Sequence, residues 1–363
     1  MFELANEQRK CFVLPPVLAS WKKVEVKPSP YDMHYTFAYL DGRRIAKIIQ
    51  VYDEQPGQEH YREYSVDAML SEDGTKLLPK TDRGKPQNFT SANLSRRTPV
   101  GMSLNYSHGS VALINETSGR AFYCSVYDDV QTDTFQSFLE WVDNWCRSTD
   151  EHAQKEINVF ARQGRTHQKY KEGDFFRFRI NRTLYGYGRI LLDFSVMRKA
   201  GIPFWDIFMG KPLCVAVYHV ATENAHLSPD RLVGKMMLPS QMIMDNAFYY
   251  GECEIIGNMP IQNTEKDFPI HYGKSISIHE QGIRYQCGRT YIAMDDKDEL
   301  CPGFRNGGIG WNLNVKLSVL RKCISENSNA PYWEMMPPYT VNQDLRNPKF
   351  SKLLGQIHKQ VGR

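Results

Sequence analysis

Apolar and polar residues alternate along much of this chain, and the pattern predicts strands more often than helices. From Tyr35 to Tyr52 two β-favouring runs flank Asp41-Gly42, a dipeptide that readily supplies the positive φ of a tight hairpin turn. A second hairpin is expected where Val111 to Asn115 and Arg120 to Tyr127 flank Ser118-Gly119. Phe135, Phe138, Leu139, Val142 and Trp145 then recur at helical spacing behind a cap at Thr132 or Asp133. A helix that docks on a sheet is predicted there. Between Arg147 and Lys171 charge and glutamine dominate, with no sustained apolar period. The domain boundary is expected within residues 155–168, giving one domain over 1–155 and another over 168–363.

The second half opens with Lys171-Glu172-Gly173-Asp174 and then places Phe176, Phe178 and Ile180 on one face, Phe175, Arg177 and Arg179 on the other. That is a half-buried strand. Leu184 to Leu192 reads as its partner, with Gly186 and Gly188 on the side of Ile190 and Leu192. Residues without side chains at those points let a strand bend or let another group approach closely. Leu213 to Ala221 is a compact apolar strand, and Ser228-Pro229 opens a short helix carrying Leu232, Val233 and Met236. Glu252 to Ile256 and Gly282 to Met294 add strands. Leu313, Val315, Leu317 and Val319 alternate with polar residues and favour a strand whose end is equally compatible with helix. Asn347 and Pro348 then begin a terminal helix with Phe350, Leu353, Leu354, Ile357 and Val361 on one stripe and Lys349, Lys352, Lys359 and Arg363 opposite. The fold class is therefore α+β and β-rich, in two domains. The second is a small curled antiparallel sheet or partly open barrel with flanking helices.

Composition narrows the function. Twenty Tyr, eighteen Phe and six Trp among 363 residues suit a β-rich core. The formal charge of +4, from 45 basic and 41 acidic residues, is too balanced for the whole chain to embrace nucleic acid. Eight widely spaced cysteines contain no Cys-x-x-Cys pair, which argues for reduced, mostly buried thiols rather than a zinc ribbon or disulfide scaffold. The N-terminal stretch carries Glu3, Glu7, Arg9 and Lys10 ahead of Pro15-Pro16 and makes a poor signal peptide. A cytoplasmic location is expected, with no membrane partner.

Candidate chemistry is sparse. Gly101-Met102-Ser103-Leu104-Asn105 begins like a nucleophile elbow but ends in Asn105 instead of glycine. Asn306-Gly307-Gly308-Ile309-Gly310 lacks the Lys-Ser/Thr end of a phosphate cradle and reads as a loop. The ten histidines include no His-x-x-x-His pair, and His271 and His279 merely flank a strand, so neither metal nor cofactor is expected. Asp295, Asp296, Asp298 and Glu299 form an acidic knot that reads as a solvated loop. His108, Cys124 and Asp128 are the one conceivable reactive trio in the first domain, and no enzyme is predicted from them. Two basic features remain. Lys76, Lys80, Arg83, Lys85, Arg96 and Arg97 sit with one acid, Asp82, in a Gly/Pro-containing segment that reads as a flexible loop. Arg177, Arg179, Arg182 and Arg189 join Tyr185 and Tyr187 on the outward face of the 174–192 hairpin. Arginine interleaved with tyrosine suits both nucleic-acid stacking and protein hot spots.

At this hairpin the chain resembles a known family. Lys171-Glu172-Gly173-Asp174-Phe175-Phe176, then Tyr185-Gly186-Tyr187-Gly188-Arg189-Ile190-Leu191, is similar to the opening of the immunity protein 26 family of bacterial polymorphic-toxin systems. A second similar block runs from Met237-Leu238-Pro239-Ser240-Gln241 through Tyr250-Gly251-Glu252 to Ile256-Gly257-Asn258. The resemblance covers about residues 168–265 and none of the first 150. It implies a β-rich α+β domain that binds a cognate toxin, encoded beside it, and blocks its active or entry surface without catalysis. Gly173, Asp174, Phe176, Gly188, Pro239 and Gly251 match the pattern as scaffold. Asp174 is expected to pair with Arg189 across the hairpin. Partner contacts are expected from Arg177, Arg179, Arg182, Tyr185, Tyr187 and Arg189. The alternative is a nucleic-acid-binding protein that uses the 76–97 loop and the same Arg/Tyr face. The family's domain is much shorter than this chain, and the slightly basic balance does not favour a basic nuclease as the target.

Overall fold

The computed structural model describes residues 2–30, 33–55, 57–81, 83–130, 132–202, 204–205, 208, 210–295 and 299–362. The chain divides into two compact units, Met1–Thr166 and His167–Arg363. Both are α+β and rich in strand, and none of the sheets is closed.

In the first unit the elements are α1 (Asn6–Cys11), β1 (Lys22–Glu25), β2 (Tyr35–Asp41), β3 (Arg44–Tyr52), β4 (His60–Val66), β5 (Ala68–Met69), β6 (Lys76–Leu77), β7 (Gln87–Asn88), α2 (Ser91–Leu94), β8 (Pro99–Ser107), β9 (Ser110–Asn115), β10 (Arg120–Cys124), α3 (Ser125–Asp128), α4 (Phe135–Arg147) and α5 (Glu151–Ala161). The main sheet runs β1-β2-β3-β4-β8-β9-β10, with β5 added to β3, and is antiparallel throughout. Both faces are covered. Ile49, Tyr61 and Tyr106 pack with Phe138, Trp141 and Trp145 of α4 on one side, while Ile45, Ile48 and Val66 meet Leu70 and Leu77 on the other. Two-sided burial explains why the adjacent Ile48 and Ile49 of β3 are both apolar and both buried. A fully buried carboxylate ties α1 to the sheet: Glu63 accepts from Arg9 Nε at 2.8 Å and Tyr61 Oη at 2.7 Å, and pairs with Lys47.

Three expectations change in this unit. The cap of α4 is Thr134, whose hydroxyl accepts from Ser137 N, one turn position later than predicted. The stretch after Arg147 holds a further helix, α5, capped by Asp150. Only Ala153 and Ile157 of α5 are buried, too narrow a stripe to register as a period. The 76–97 segment is not a free loop. It forms the β6/β7 ladder and α2, and Arg97 is buried, donating to Leu78 O at 2.7 Å. Asp82 of that segment lies outside the described residues.

The second unit contains β11 (Asp174–Arg179), β12 (Tyr185–Asp193), α6 (Ser195–Lys199), β13 (Pro212–Thr222), β14 (Gln241–Met244), α7 (Asn246–Tyr249), β15 (Glu254–Asn258), β16 (Ile270–Ser275), β17 (Ile283–Cys287), β18 (Thr290–Met294), β19 (Arg305–Asn306), β20 (Ile309–Gly310), α8 (Leu317–Glu326), α9 (Ala330–Met335), α10 (Pro338–Val341) and α11 (Ser351–Gln360). A six-stranded sheet runs β15-β11-β12-β13-β14-β20, and a four-stranded one runs β18-β17-β16-β19. The short strands β19 and β20 are added parallel to β16 and β14, so one glycine-rich segment belongs to both sheets. Gly186 and Gly188 lie opposite Phe178 and Phe176 in the ladder. A Cβ on Gly188 would stand 2.3 Å from the Phe176 ring and 2.5 Å from Ala216 O, and one on Gly186 2.4 Å from the Phe178 ring. Glycine is required there so that two aromatic rings can cross the neighbouring strand.

Two sequence expectations are corrected here. The 228–236 helix is only a 3-10 turn over Pro229–Arg231, and Leu313 and Val315 lie in no strand, while the end of that run takes its helical alternative, with Leu317 and Val319 in α8. Asn347 does cap the Pro348 turn that leads into α11, while Arg363 lies outside the described residues. All eight cysteines are free, but only Cys214, Cys253 and Cys323 are fully buried.

Candidate partner-binding surfaces of the second unit

The β11/β12 register pairs Phe175 with Arg189, Arg177 with Tyr187 and Arg179 with Tyr185, which puts these six side chains on one face. Exposure falls steeply along it. At the turn end Arg179 lies 4.8 Å above the Tyr185 ring and donates to Arg182 O at 2.7 Å. Arg177 forks onto Glu254, at 2.8 Å and 3.1 Å, and also reaches Ala225 O. Arg177, Arg179, Arg182 and Tyr185 are half-buried. Tyr187 is fully buried and donates to Asn224 O at 2.5 Å.

Arg189 is 1% exposed. Its guanidinium pairs with Glu265, donates to Met259 O at 2.6 Å and Pro260 O at 2.9 Å, and lies 4.3 Å over the Phe175 ring. The expected outward position of Tyr187 and Arg189 is therefore corrected: the chain around residues 224–227 and 259–265 covers that end of the face and is fastened down by these same two side chains. Nor does Arg189 pair with Asp174. The Asp174 carboxylate instead accepts from Lys171 N and Asn258 Nδ2, both at 2.7 Å. Alternation placed Arg189 on the Arg/Tyr face correctly, but alternation cannot report a loop that returns over that face from seventy residues away.

The other family-pattern residues sit at backbone junctions. Gly173 has φ +83°, and a Cβ there would stand 2.3 Å from Met259 O. Gly251, at φ +72°, follows α7, Pro239 precedes β14, and Phe176 fills the space above Gly188.

A second surface was not singled out in the sequence. A cavity of about 360 Å³ is lined by β14, the start of β16, the 305–310 segment and the chain around α10, with Gln241, His271, Asn314, Tyr332, Thr340 and Asp344 among its walls. Arg346 organises its floor. It grips Asp344 with Nη2–Oδ2 at 2.7 Å, Asp267 at 2.6 Å and Ser240 O at 2.6 Å. Burial alone would raise the Asp344 carboxyl, but the Arg346 charge and hydrogen bonds hold it below its ordinary range. His271 is 6% exposed, and neither ring nitrogen has a hydrogen-bond partner. Burial lowers its pKa, so the imidazole is neutral near pH 7. The Asn306–Gly310 segment, expected to be a plain loop, supplies β20 and a wall of this cavity.

Among the described residues no group of His, Cys, Asp and Glu is arranged to hold a metal ion. In the acidic knot Glu299 meets Lys274 at 3.5 Å, while Asp296 and Asp298 lie outside the described residues. Ser103 is in mid-strand β8, His108 is in the turn after it, and Asp128 accepts from Tyr123 Oη at 3.1 Å.

Residues 171–281 match the family model described as Immunity protein 26. The matched span holds β11 to β15, which is the whole six-stranded sheet except β20, together with β16 of the four-stranded sheet. No curated protein and no solved structure matches this chain.

Proposed function

We propose that this chain is an immunity protein whose second unit binds a cognate bacterial toxin and neutralises it by steric block. The match over residues 171–281 carries the reading, because it spans a contiguous sheet and not a scatter of short motifs. Proteins of this kind act by stoichiometric binding, so the chain supplies a surface and no chemistry. Binding to an effector delivered into or made in the same cell fits a cytoplasmic protein. Among the described residues no helix is long and apolar enough to cross a membrane. The near-neutral formal charge of +4 suits a toxin surface that is not strongly basic.

Co-expression with the toxin encoded beside it is the direct test. Restored growth together with a stable 1:1 complex in size-exclusion chromatography is expected. Neither protection nor complex formation with any neighbouring gene product would remove the reading.

A further inference from the structure

We infer that the cavity around His271 is where the toxin docks, accepting a neutral carboxamide or hydroxyl group from a loop whose apolar flanks cover the cavity rim. The inference rests on the immunity-protein reading and adds the place and the chemistry of contact.

Three buried residues carry it. His271 lines the cavity, Gln286 lies directly opposite it in the β16/β17 ladder, and Asn306 immediately precedes the cavity-lining Gly307. All six of their side-chain nitrogen and oxygen atoms are buried without a hydrogen-bond partner. Folded proteins satisfy nearly all such atoms, and each one left unmet costs about 1–3 kcal/mol. Of the three only His271 lines the cavity, backed by Gln286 and Asn306, and its neutral ring carries one nitrogen that donates and one that accepts.

Charge selects the class. Among the described residues the one carboxylate on the wall, Asp344, is held bidentately by Arg346, which is itself shared with Asp267. His271 is neutral, so apart from Arg305 at the mouth the cavity-lining residues offer no unpaired charge to an anion or a cation. A cavity of about 360 Å³ admits one or two side chains rather than a folded segment. The mouth suits a protein partner. Tyr339 is 82% exposed and Ile276 43% exposed, both line the cavity with the exposed Arg305, and Trp311, one residue beyond Gly310, is 67% exposed. Exposed aromatics and arginine around a pocket are the usual make-up of an interface hot spot. The hairpin face, by contrast, has already spent its arginines on Glu254, Tyr185 and backbone carbonyls.

The test uses the full-length chain and the purified toxin encoded beside it, with affinity read by titration calorimetry and folding by melting temperature. Tyr339→Ala combined with Ile276→Ala is expected to weaken binding about thirtyfold or more, as for hot-spot residues, with the melting temperature unchanged. Arg179→Ala combined with Tyr185→Ala should change affinity less than threefold. His271→Leu removes two unmet polar atoms, so it should raise the melting temperature of the free protein while weakening binding at least tenfold. A merely structural histidine would not lose affinity as stability rises. Wild-type affinity in both cleft variants, or a loss confined to the hairpin variant, overturns the inference while leaving the immunity reading intact. If the wild-type chain itself does not bind, both fall together.

Discussion

Replacing Arg189 by Met should cost the second unit about 3–5 kcal/mol, the range for breaking a buried ion pair from one side. The apolar part of the side chain is retained, so packing over Phe175 changes little. What is lost is the guanidinium: Glu265 keeps a buried carboxylate without its partner, and Met259 O and Pro260 O lose their donor. Glu265 then keeps only the Gln262 N donor at 2.8 Å and the long Tyr218 hydroxyl bond at 3.4 Å, and neither brings a charge. Domains of this size are stable by about 5–15 kcal/mol, so a third or more of the total is at stake. The readout is native-state hydrogen exchange of β12 and β13 peptides in the full-length chain, which reports this unit separately from the first. A 3 kcal/mol loss corresponds to about 150-fold faster exchange where exchange follows the opening equilibrium. Arg189→Met with Glu265→Gln should recover at least about 2 kcal/mol, because the second change removes the stranded charge. Exchange within fivefold of wild type in the single variant, or strict additivity in the double, would refute this account of how the 259–265 segment is held.

In the first unit, the His60 ring lies tilted against that of His34 at 5.1 Å, and burial, then the neighbouring His34, Arg62 and His108, lowers its pKa to about 4. Below pH 6.5 the unfolded chain takes up a proton that the folded chain refuses, so stability falls as pH drops from 6.5 to 4 and levels off beneath. The loss attributable to His60 is about 2–3 kcal/mol after allowance for partial solvent screening, and urea titrations of wild type against His60→Gln across that window should show it as a difference in slope. Gly188→Ala drives a Cβ into the Phe176 ring and Ala216 O and should cost about 1–3 kcal/mol or more, with partial rescue by Phe176→Leu. Thermal denaturation of the single and double variants measures it, and an unperturbed single variant would mean that β12 shifts freely.

Local chemistry made much of this fold readable. The Asp41-Gly42 hairpin, the α4 stripe, the β11/β12 pair and the Asn347-Pro348 start all depend on neighbours within a few residues. The misses share one cause, contact at long range. Helix α5 shows only two buried residues, and the 76–97 segment is ordered by β6/β7 pairing and by Arg97, neither of which leaves a periodic trace. The cavity around His271 was invisible for the same reason. Its walls come from residues 240 to 344, and no short window of sequence contains more than a fragment. Tyr187 and Arg189 were placed on the right face, yet their burial depends on segments dozens of residues later.

The segment that carries the family likeness stops at residue 281, but the compact unit does not. β20 completes the six-stranded sheet from outside that span, and Arg346 returns from the far end of the chain to fasten Ser240 and Asp267 within it. The resemblance and the compact unit therefore have different borders in this protein. A recombination event that exchanged only the similar stretch would hand its recipient a sheet with an unfinished edge and a severed clasp, so variation among such proteins is expected to respect the larger unit.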